Sequence, residues 1–98
     1  MTINKTVNGS ALTLVPVGRL DTITAPEFET VLKNSLADIK ELIFDFESLE
    51  YISSAGLRVL LSTQKIMNKQ GSMRILHVND VIMEIFEVTG FSDILTIE

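Results

Sequence analysis

The feature that most constrains the fold is residues 42–61, where an apolar strand leads through two serines and a glycine into a long amphipathic helix. The run Leu42–Phe46 is short and apolar, which is typical of a strand buried in a parallel sheet. Helical periodicity follows over residues 54–70 and stops at Gly71, the usual residue for a left-handed C-terminal cap. Ser54 is predicted to be the N-cap, because a serine oxygen there can accept a hydrogen bond from a free amide of the first turn.

A helical wheel at about 100° per residue separates the two faces of this helix. The positions on its broad apolar arc are Leu57, Val59, Leu60, Thr63, Ile66 and Met67. The narrow polar arc opposite holds Ser54, Arg58, Ser62, Lys65 and Lys69. Leu61 lies at the edge of the polar arc, where a leucine has no evident role in the core. We therefore expect a contact surface around the Ser54 hydroxyl, at the positive end of a helix dipole that tolerates phosphate.

Length and composition narrow the class of protein. The 98 residues are expected to form one domain over residues 1–98, with 46% hydrophobic residues. Thirteen acidic residues against eight basic ones argue against a nucleic-acid partner, and the chain has no cysteine for disulfides or thiolate chemistry. The N-terminus lacks the pattern of a signal peptide and no apolar run reaches 18 residues, so we expect a cytoplasmic protein without membrane insertion.

The first half of the chain predicts a β-hairpin and a helix. The runs Ile3–Val7 and Leu12–Val17 alternate apolar and polar residues around a turn at Asn8-Gly9. Pro16 cannot donate to a strand ladder, so a bulge or strand end is expected there. The sequence Thr24-Ala25-Pro26-Glu27 is interpreted as a capping box at the start of a helix over about residues 25–38.

The second half predicts alternating strands and helices after the Leu42–Phe46 strand and the helix over 54–70. Met73–Val78 is predicted to be a strand, and Asn79 or Asp80 to cap a third helix that ends at Thr89-Gly90. The inward-facing residues of that helix are predicted to be Val81, Ile82, Ile85 and Phe86. Phe91 should pack back on it, and Ile94–Ile97 should form a marginal last strand. The predicted fold is thus α/β, a β-hairpin followed by αβαβαβ, with a mostly parallel four- to five-stranded sheet covered by helices.

Catalytic chemistry is not expected from these residues. The serines are not in a Gly-x-Ser-x-Gly elbow, and no Gly-x-x-x-x-Gly-Lys loop is present. His77 is the single histidine and is interpreted as a surface or sheet-end residue rather than a general base. Asp45, Glu47 and Glu50 lack a histidine or thiolate partner and are interpreted as solvated loop carboxylates, so no metal and no cofactor are predicted.

Asp21 and the two serines each have two possible roles. If the strands at 12–17 and 42–46 are parallel neighbours, Asp21 lies with Ser53 and Ser54 at the carboxyl edge of the sheet, where open α/β sheets place their sites. Asp21 can equally be a residue that stabilises a turn. The serines can be helix-capping residues and nothing more.

The segment Phe44–Leu57 contains the end of a strand, an aspartate, a leucine and then the run Tyr-Ile-Ser-Ser-Ala-Gly-Leu. This pattern resembles the signature of the STAS domain family. The resemblance is greatest to the stand-alone anti-sigma factor antagonists of bacteria. Gly18-Arg19-Leu20-Asp21 matches the family's Gly-x-Leu-Asp segment, and Val88-Thr89-Gly90-Phe91 is similar to its turn after the third main helix. The resemblance extends over nearly the whole chain.

The resemblance implies a regulatory function without enzymatic activity. In that family the serine two positions before the glycine, here Ser54, is phosphorylated by the anti-sigma factor, an ATP-binding serine kinase. The unphosphorylated antagonist binds this kinase and frees a sigma factor, phosphorylation prevents binding, and a metal-dependent serine phosphatase resets the partner switch. Many members carry Asp where Ser53 stands here, so Ser53 is a minor alternative acceptor.

The contact surface predicted from the wheel and the strand ends can serve two functions. Its residues are Asp21, Ser54, Arg58, Leu61, Ser62 and Lys65. One function is the regulation of transcription by the phosphorylation switch. The alternative is that of a structural STAS subunit that docks to a membrane transporter or to a larger signalling assembly.

Overall fold

The computed structural model describes residues 1–98, which form five strands, three helices and a short 3-10 turn. In chain order the elements are β1 Thr2–Asn8, β2 Ala11–Leu20, α1 Ala25–Ser35, β3 Glu41–Asp45, β4 Leu49–Ile52, α2 Ser54–Gln70, β5 Ser72–Leu76, α3 Asp80–Thr89 and the turn Phe91–Asp93. The predicted bounds of α2 are confirmed at both ends.

The sheet is mixed, with β2 at its centre. The strand order is β1-β2-β3-β5, with β1 antiparallel to β2 and the pairs β2–β3 and β3–β5 parallel. The fourth strand, β4, pairs in parallel with the second half of β2. The predicted parallel pairing of the 12–17 and 42–46 strands is confirmed.

The predicted element order is wrong at two places. Residues 49–52, taken as part of a loop, form β4, because β2 is twice as long as β3 and leaves the edge of its last residues free for a further partner. The predicted last strand at 94–97 is reduced to a single bridge between Ile75 and Ile97, preceded by the 3-10 turn. The chain is therefore ββαββαβα.

The hairpin turn is shifted by one residue from its predicted place. Asn8 still pairs with Ala11, so the two turn residues are Gly9 and Ser10. Gly9 has φ = 63°, as the first central residue of a type II′ turn requires. Pro16 is paired with Ile3 inside β2, neither at a strand end nor at a bulge, and the register shift occurs later, between Gly18 and Arg19.

The helices cover one face of the sheet. On β3, Leu42 and Phe44 are buried whereas Glu41, Ile43 and Asp45 remain partly exposed, and β5 repeats this alternation. On the covered face 22 buried apolar residues form one cluster, in which Phe28 of α1 packs on Phe44 with 5.6 Å between ring centroids. The apolar β3 run is thus fully buried on one face and partly exposed on the other.

The start of α1 and the end of α2 lie where they were predicted, but other contacts than those predicted hold them. The capping box at Thr24 is not formed, because Thr24 Oγ1 donates to the carbonyl of Arg19 instead of accepting from the helix. Gly71 is extended at φ = 179°, and glycine is needed there because a Cβ would overlap the backbone carbonyl of Lys40.

The third helix follows the prediction at its ends but not along its whole inner face. The Asn79 side chain accepts from the amide of Ile82 at 2.8 Å, and Gly90 ends the helix in the left-handed conformation. Ile82 and Phe86 are buried, but Val81 is 55% exposed and does not face inward. Phe91 packs against the core as predicted. None of the helices is both long and apolar enough to span a bilayer.

Candidate functional site

The candidate site lies where β2 and β4 end side by side. Leu20 is in register with Ile52, and the amide of Ser53 donates to the carbonyl of Leu20 at 2.8 Å. Asp21 and Ser53 directly follow these paired residues. The prediction that Asp21 and the serines share one edge of the sheet is therefore confirmed, although the strand that carries the serines is β4 and not β3.

The two serines occupy different environments. Ser53 is the N-cap, with extended backbone angles of φ = −97° and ψ = 176°, so the prediction that Ser54 caps the helix is wrong. The Oγ of Ser53 is buried and has no hydrogen-bond partner, and it makes no capping bond. Ser54 is the first residue of α2 and is exposed. A protein that modifies a hydroxyl can therefore reach Ser54 and not Ser53.

The first turn of α2 presents free donors close to Ser54. Its first backbone hydrogen bond runs from the amide of Leu57 to the carbonyl of Ser53, at 2.9 Å. The amides of Ser54, Ala55 and Gly56 consequently have no acceptor within the protein. Arg58 is exposed four residues after Ser54, at the spacing that places two side chains next to each other on a helix, and it forms no ion pair. An anion on Ser54 would meet these donors.

Gly56 allows the helix start to lie against the two strand ends. A Cβ at this position would be 2.7 Å from Leu20 Cγ and 2.8 Å from Ile52 Cγ1, both in fully buried side chains. The Ser-Ser-Ala-Gly sequence thus has a packing role in addition to any chemical role, since the glycine fixes how closely α2 approaches β2 and β4.

We expect Gly56→Ala to reduce the free energy of unfolding by roughly 1 to 2 kcal/mol, because contacts this short should cost the upper part of the usual range of about 1 to 3 kcal/mol for overpacking a core. This cost exceeds the gain of up to about 1 kcal/mol that alanine offers in a helix. Urea unfolding followed by circular dichroism measures the change, with the exposed Ser62→Ala as the matched control on the same helix. A Gly56→Ala protein as stable as the wild type would contradict the close packing described.

Asp21 stabilises the loop between β2 and α1. Its Oδ1 accepts hydrogen bonds from the amides of Ile23 and Thr24, at 3.0 and 3.1 Å, and lies 3.2 Å from Thr24 Oγ1, whose one proton is shared between Asp21 and the nearer carbonyl of Arg19 at 2.7 Å. The hydrogen bond from the Thr24 amide, followed by those from Ile23 and the Thr24 hydroxyl and by the charge of Arg19, lowers the pKa of Asp21 below its usual value. The turn-stabilising role considered from the sequence is therefore present, and Oδ2 remains without a partner.

A shallow groove of about 230 Å³ separates this loop and the start of α1 from the start of α2. Its walls are formed by Thr22, Ala25, Pro26 and Glu29 on one side and by Ala55, Arg58 and Val59 on the other. The β2–α1 loop, the groove and the first turns of α2 together form one continuous surface.

The exposed face of α2 is close to the wheel prediction. Ser54, Arg58, Ser62 and Lys65 are exposed, and Leu61 is half-buried and outside both the core cluster and the apolar side chains packed on it. One position differs from the wheel, because Ile66 is 40% exposed although it was placed on the apolar arc.

One apolar side chain of this surface was missed in the sequence. Ile23 is 86% exposed in the β2–α1 loop, two residues after Asp21, and is the most exposed large hydrophobic residue of the chain. An isoleucine inside the polar run Asp21–Thr24 is the signal that could have indicated it, because such loops rarely gain from an apolar side chain.

Comparisons with known proteins identify the family of the chain. The family model described as STAS domain matches residues 2–98. The chain belongs to the STAS domain family. It is similar to the anti-sigma-B factor antagonist of Staphylococcus aureus, with 35% identity over 80 residues that cover 80% of this chain and 74% of the relative.

Two solved structures share this STAS fold. An anti-sigma factor antagonist from Mycobacterium paratuberculosis superimposes with a TM-score of 0.88 over 98% of this chain and 83% of the other, at 21% identity. The Bacillus cell fate determinant SpoIIAA in its phosphorylated form gives 0.76 over 99% of this chain and 91% of the other, at 15% identity. At these identities the two structures support the STAS fold alone.

Proposed function

We propose that this STAS protein is an anti-sigma factor antagonist that is switched by phosphorylation of Ser54. The observation that carries the proposal is the exposed Ser54 hydroxyl at the first position of α2, beside a buried Ser53 oxygen. The similarity to the anti-sigma-B factor antagonist of S. aureus supports the partner class, and SpoIIAA, which shares the fold, is a protein with a phosphorylated form.

The partner in this proposal is an anti-sigma factor that is also a serine kinase. The unphosphorylated antagonist binds it and releases the sigma factor. The kinase then transfers the γ-phosphoryl group of ATP to Ser54 Oγ, with ADP as the leaving group, and the phosphorylated antagonist dissociates. A metal-dependent serine phosphatase hydrolyses the phosphoserine and restores the binding form. The antagonist itself catalyses no step.

The proposed partner surface joins α2 to the β2–α1 loop. It comprises Asp21, Ser54, Arg58, Leu61, Ser62 and Lys65, to which the structure adds Ile23. Leu61 and Ile23 supply apolar area at two ends of a polar, partly basic surface, and such side chains anchor an interface when a partner removes them from water.

We expect Leu61→Asp to weaken anti-sigma factor binding at least tenfold while the melting temperature stays within a few degrees of the wild type. A buried anchor often accounts for about 2 kcal/mol or more of binding, whereas substitutions outside the core change stability by about 0.5 kcal/mol. Calorimetric titration and thermal unfolding measure the two quantities. Lys69→Asp, on the same helix but outside the proposed surface, is the matched control. A large loss of stability in Leu61→Asp would instead place Leu61 in the core.

The experiment that tests the function uses a purified complex of a sigma factor with its anti-sigma factor kinase. Adding the antagonist without ATP should release the sigma factor, and adding ATP should place one phosphate on the antagonist and reverse the release. If the chain neither binds a kinase of this class nor accepts phosphate, the regulatory function is wrong. Recovery of the chain with a transporter or a larger signalling assembly would then support the docking function instead.

A further inference from the structure

A second group of polar side chains follows β3 and β5, two strands that do not carry Ser54. Asp45 is the last residue of β3, Glu47 follows it by two positions, and His77 directly follows β5. In the parallel β3–β5 pair Asp45 is in register with Leu76, the residue before His77. The ladder continues one step further, because the amide of Phe46 donates to the carbonyl of Leu76 at 2.9 Å. The backbone that carries these side chains is therefore held by the sheet.

The three side chains converge on one another. His77 Nδ1 and Asp45 Oδ1 are 2.9 Å apart, and the amide of Glu47 donates to the same Asp45 oxygen at 3.0 Å. One donor atom from each of Asp45, Glu47 and His77 lies within 4.8 Å of the other two. His77 takes a left-handed backbone conformation, φ = 58°, and this turn of the chain brings the imidazole to the end of β3. The sequence interpretation that no histidine accompanies Asp45 and Glu47 is thus corrected.

These distances are close to those in the first coordination shell of a divalent transition-metal ion. Two ligands at about 2.1 Å from one tetrahedral ion are about 3.4 Å apart, so His77 Nδ1 and Asp45 Oδ1, which lie 2.9 Å apart as a hydrogen-bonded pair, would bind the same ion after separating by about 0.5 Å. The carboxylate of Glu47 is exposed and can adjust its rotamer to complete a set of one nitrogen and two oxygen ligands. Water would occupy the remaining positions, as at other open sites.

The ligand atoms, one imidazole nitrogen and two carboxylate oxygens, favour some metal ions over others. Imidazole with carboxylates suits Zn²⁺ and its neighbours in the transition series, whereas Ca²⁺ and Mg²⁺ prefer sites made of oxygen atoms alone. Two carboxylates and a neutral imidazole carry two negative charges that a divalent ion would neutralise.

We propose that Asp45, Glu47 and His77 form a surface site for a divalent transition-metal ion of the Zn²⁺ class, separate from the Ser54 surface. The ion would replace the proton shared by His77 and Asp45 and join the β3–β4 loop to the β5–α3 loop. These loops are already connected by the hydrogen bond from Asn79 Nδ2 to the carbonyl of Leu49, at 3.0 Å. The proposal does not rest on the anti-sigma factor function.

Proton competition gives the site a pH dependence. Metal ions bind imidazole and carboxylate groups in their deprotonated forms, so the affinity for Zn²⁺ should fall when the pH is lowered.

The test is a titration of the full chain with ZnCl₂ at pH 7.5, followed by calorimetry and by the imidazole NMR signals of the single histidine. We expect one ion per chain, a change in the His77 signals, and a higher melting temperature with Zn²⁺, because a ligand of the folded state stabilises it. His77→Asn should reduce the affinity at least tenfold and keep the fold, since asparagine accepts the left-handed conformation. Glu47→Gln should reduce it as well.

The matched control is Glu50→Gln, which removes an exposed carboxylate of β4 that lies outside the cluster. Its affinity for Zn²⁺ should equal that of the wild type. Absence of binding at millimolar Zn²⁺ would overturn the proposal, as would binding that is equal in His77→Asn and the wild type. Equal affinities for Zn²⁺ and Ca²⁺ would also overturn it, because they would indicate a purely acidic surface.

Discussion

Ser54→Ala should abolish phosphate incorporation by an anti-sigma factor kinase while leaving binding to that kinase intact. The substitution removes the exposed acceptor oxygen and nothing that the fold uses, because Ser54 forms no capping bond and its side chain contacts solvent. Mass spectrometry of the protein after incubation with the kinase and ATP should find no phosphate, against one phosphate per chain in the wild type. Calorimetric titration without ATP should give the wild-type affinity.

Ser53→Ala is the matched control for this result. The Ser53 oxygen is buried and without a partner, so the alanine variant should be labelled at Ser54 like the wild type. Removing an unsatisfied buried hydroxyl should also leave the protein as stable as before or slightly more stable. If labelling persists in Ser54→Ala and disappears in Ser53→Ala, the acceptor is Ser53, and the helix start must open for the kinase to reach it.

Phosphate on Ser54 should reduce the affinity for the anti-sigma factor roughly 30-fold to several-thousand-fold. The group adds about 1.5 to 2 negative charges at neutral pH. In an interface that charge must lose water, and a buried charge that the partner does not pair costs on the order of 2 to 5 kcal/mol, which corresponds to the affinity change stated. Calorimetric titration of the phosphorylated and unphosphorylated proteins measures it. An affinity that changes less than tenfold would mean that Ser54 lies outside the interface.

The fold should not change when Ser54 is phosphorylated. At a helix start the charge is favourable by about 0.3 to 1 kcal/mol, and no capping bond of Ser54 is lost in exchange. A phosphate on Ser54 would accept hydrogen bonds from donors that are free in the structure. These donors are the amides of Ser54, Ala55 and Gly56 and the side chain of Arg58. Hydrogen exchange should therefore show equal protection of the amides of residues 57–69 in both forms. Loss of protection on phosphorylation would contradict a rigid switch and indicate that α2 unfolds.

The long helix could be predicted from the sequence because its signals are local. The apolar and polar arcs of residues 54–70 repeat with the helical period, and both ends of α2 are where that pattern places them. The exposure of Ser54, Arg58, Ser62 and Lys65 follows from the same periodicity. The prediction was less accurate at Ile66, which lies at the border of the apolar arc, where neighbouring elements decide burial.

The missing strand shows why short elements need tertiary context. The segment 49–52 has only four residues, one of which is a glutamate, and is too short for an alternation of apolar and polar residues to be recognised. They become a strand because Gly18, Arg19 and Leu20 of β2 extend beyond β3 and offer unpaired backbone groups. Arg19 then lies over the Tyr51 ring, 4.6 Å from its centroid.

The amino-acid sequence by itself determined the hairpin, the three helices, the family resemblance and the residues of α2 that face solvent, since each depends on spacing along the chain. Only the tertiary structure decided that the Ser53 oxygen is buried, because that burial depends on how the start of α2 lies against the strand ends. It also decided that the helices cover one face of the sheet. The contact between His77 and Asp45, 32 residues away, also depends on the tertiary structure, because the parallel pairing of β3 and β5 produces it. Contacts between residues distant in the chain depend on strand register, and register depends on the whole core.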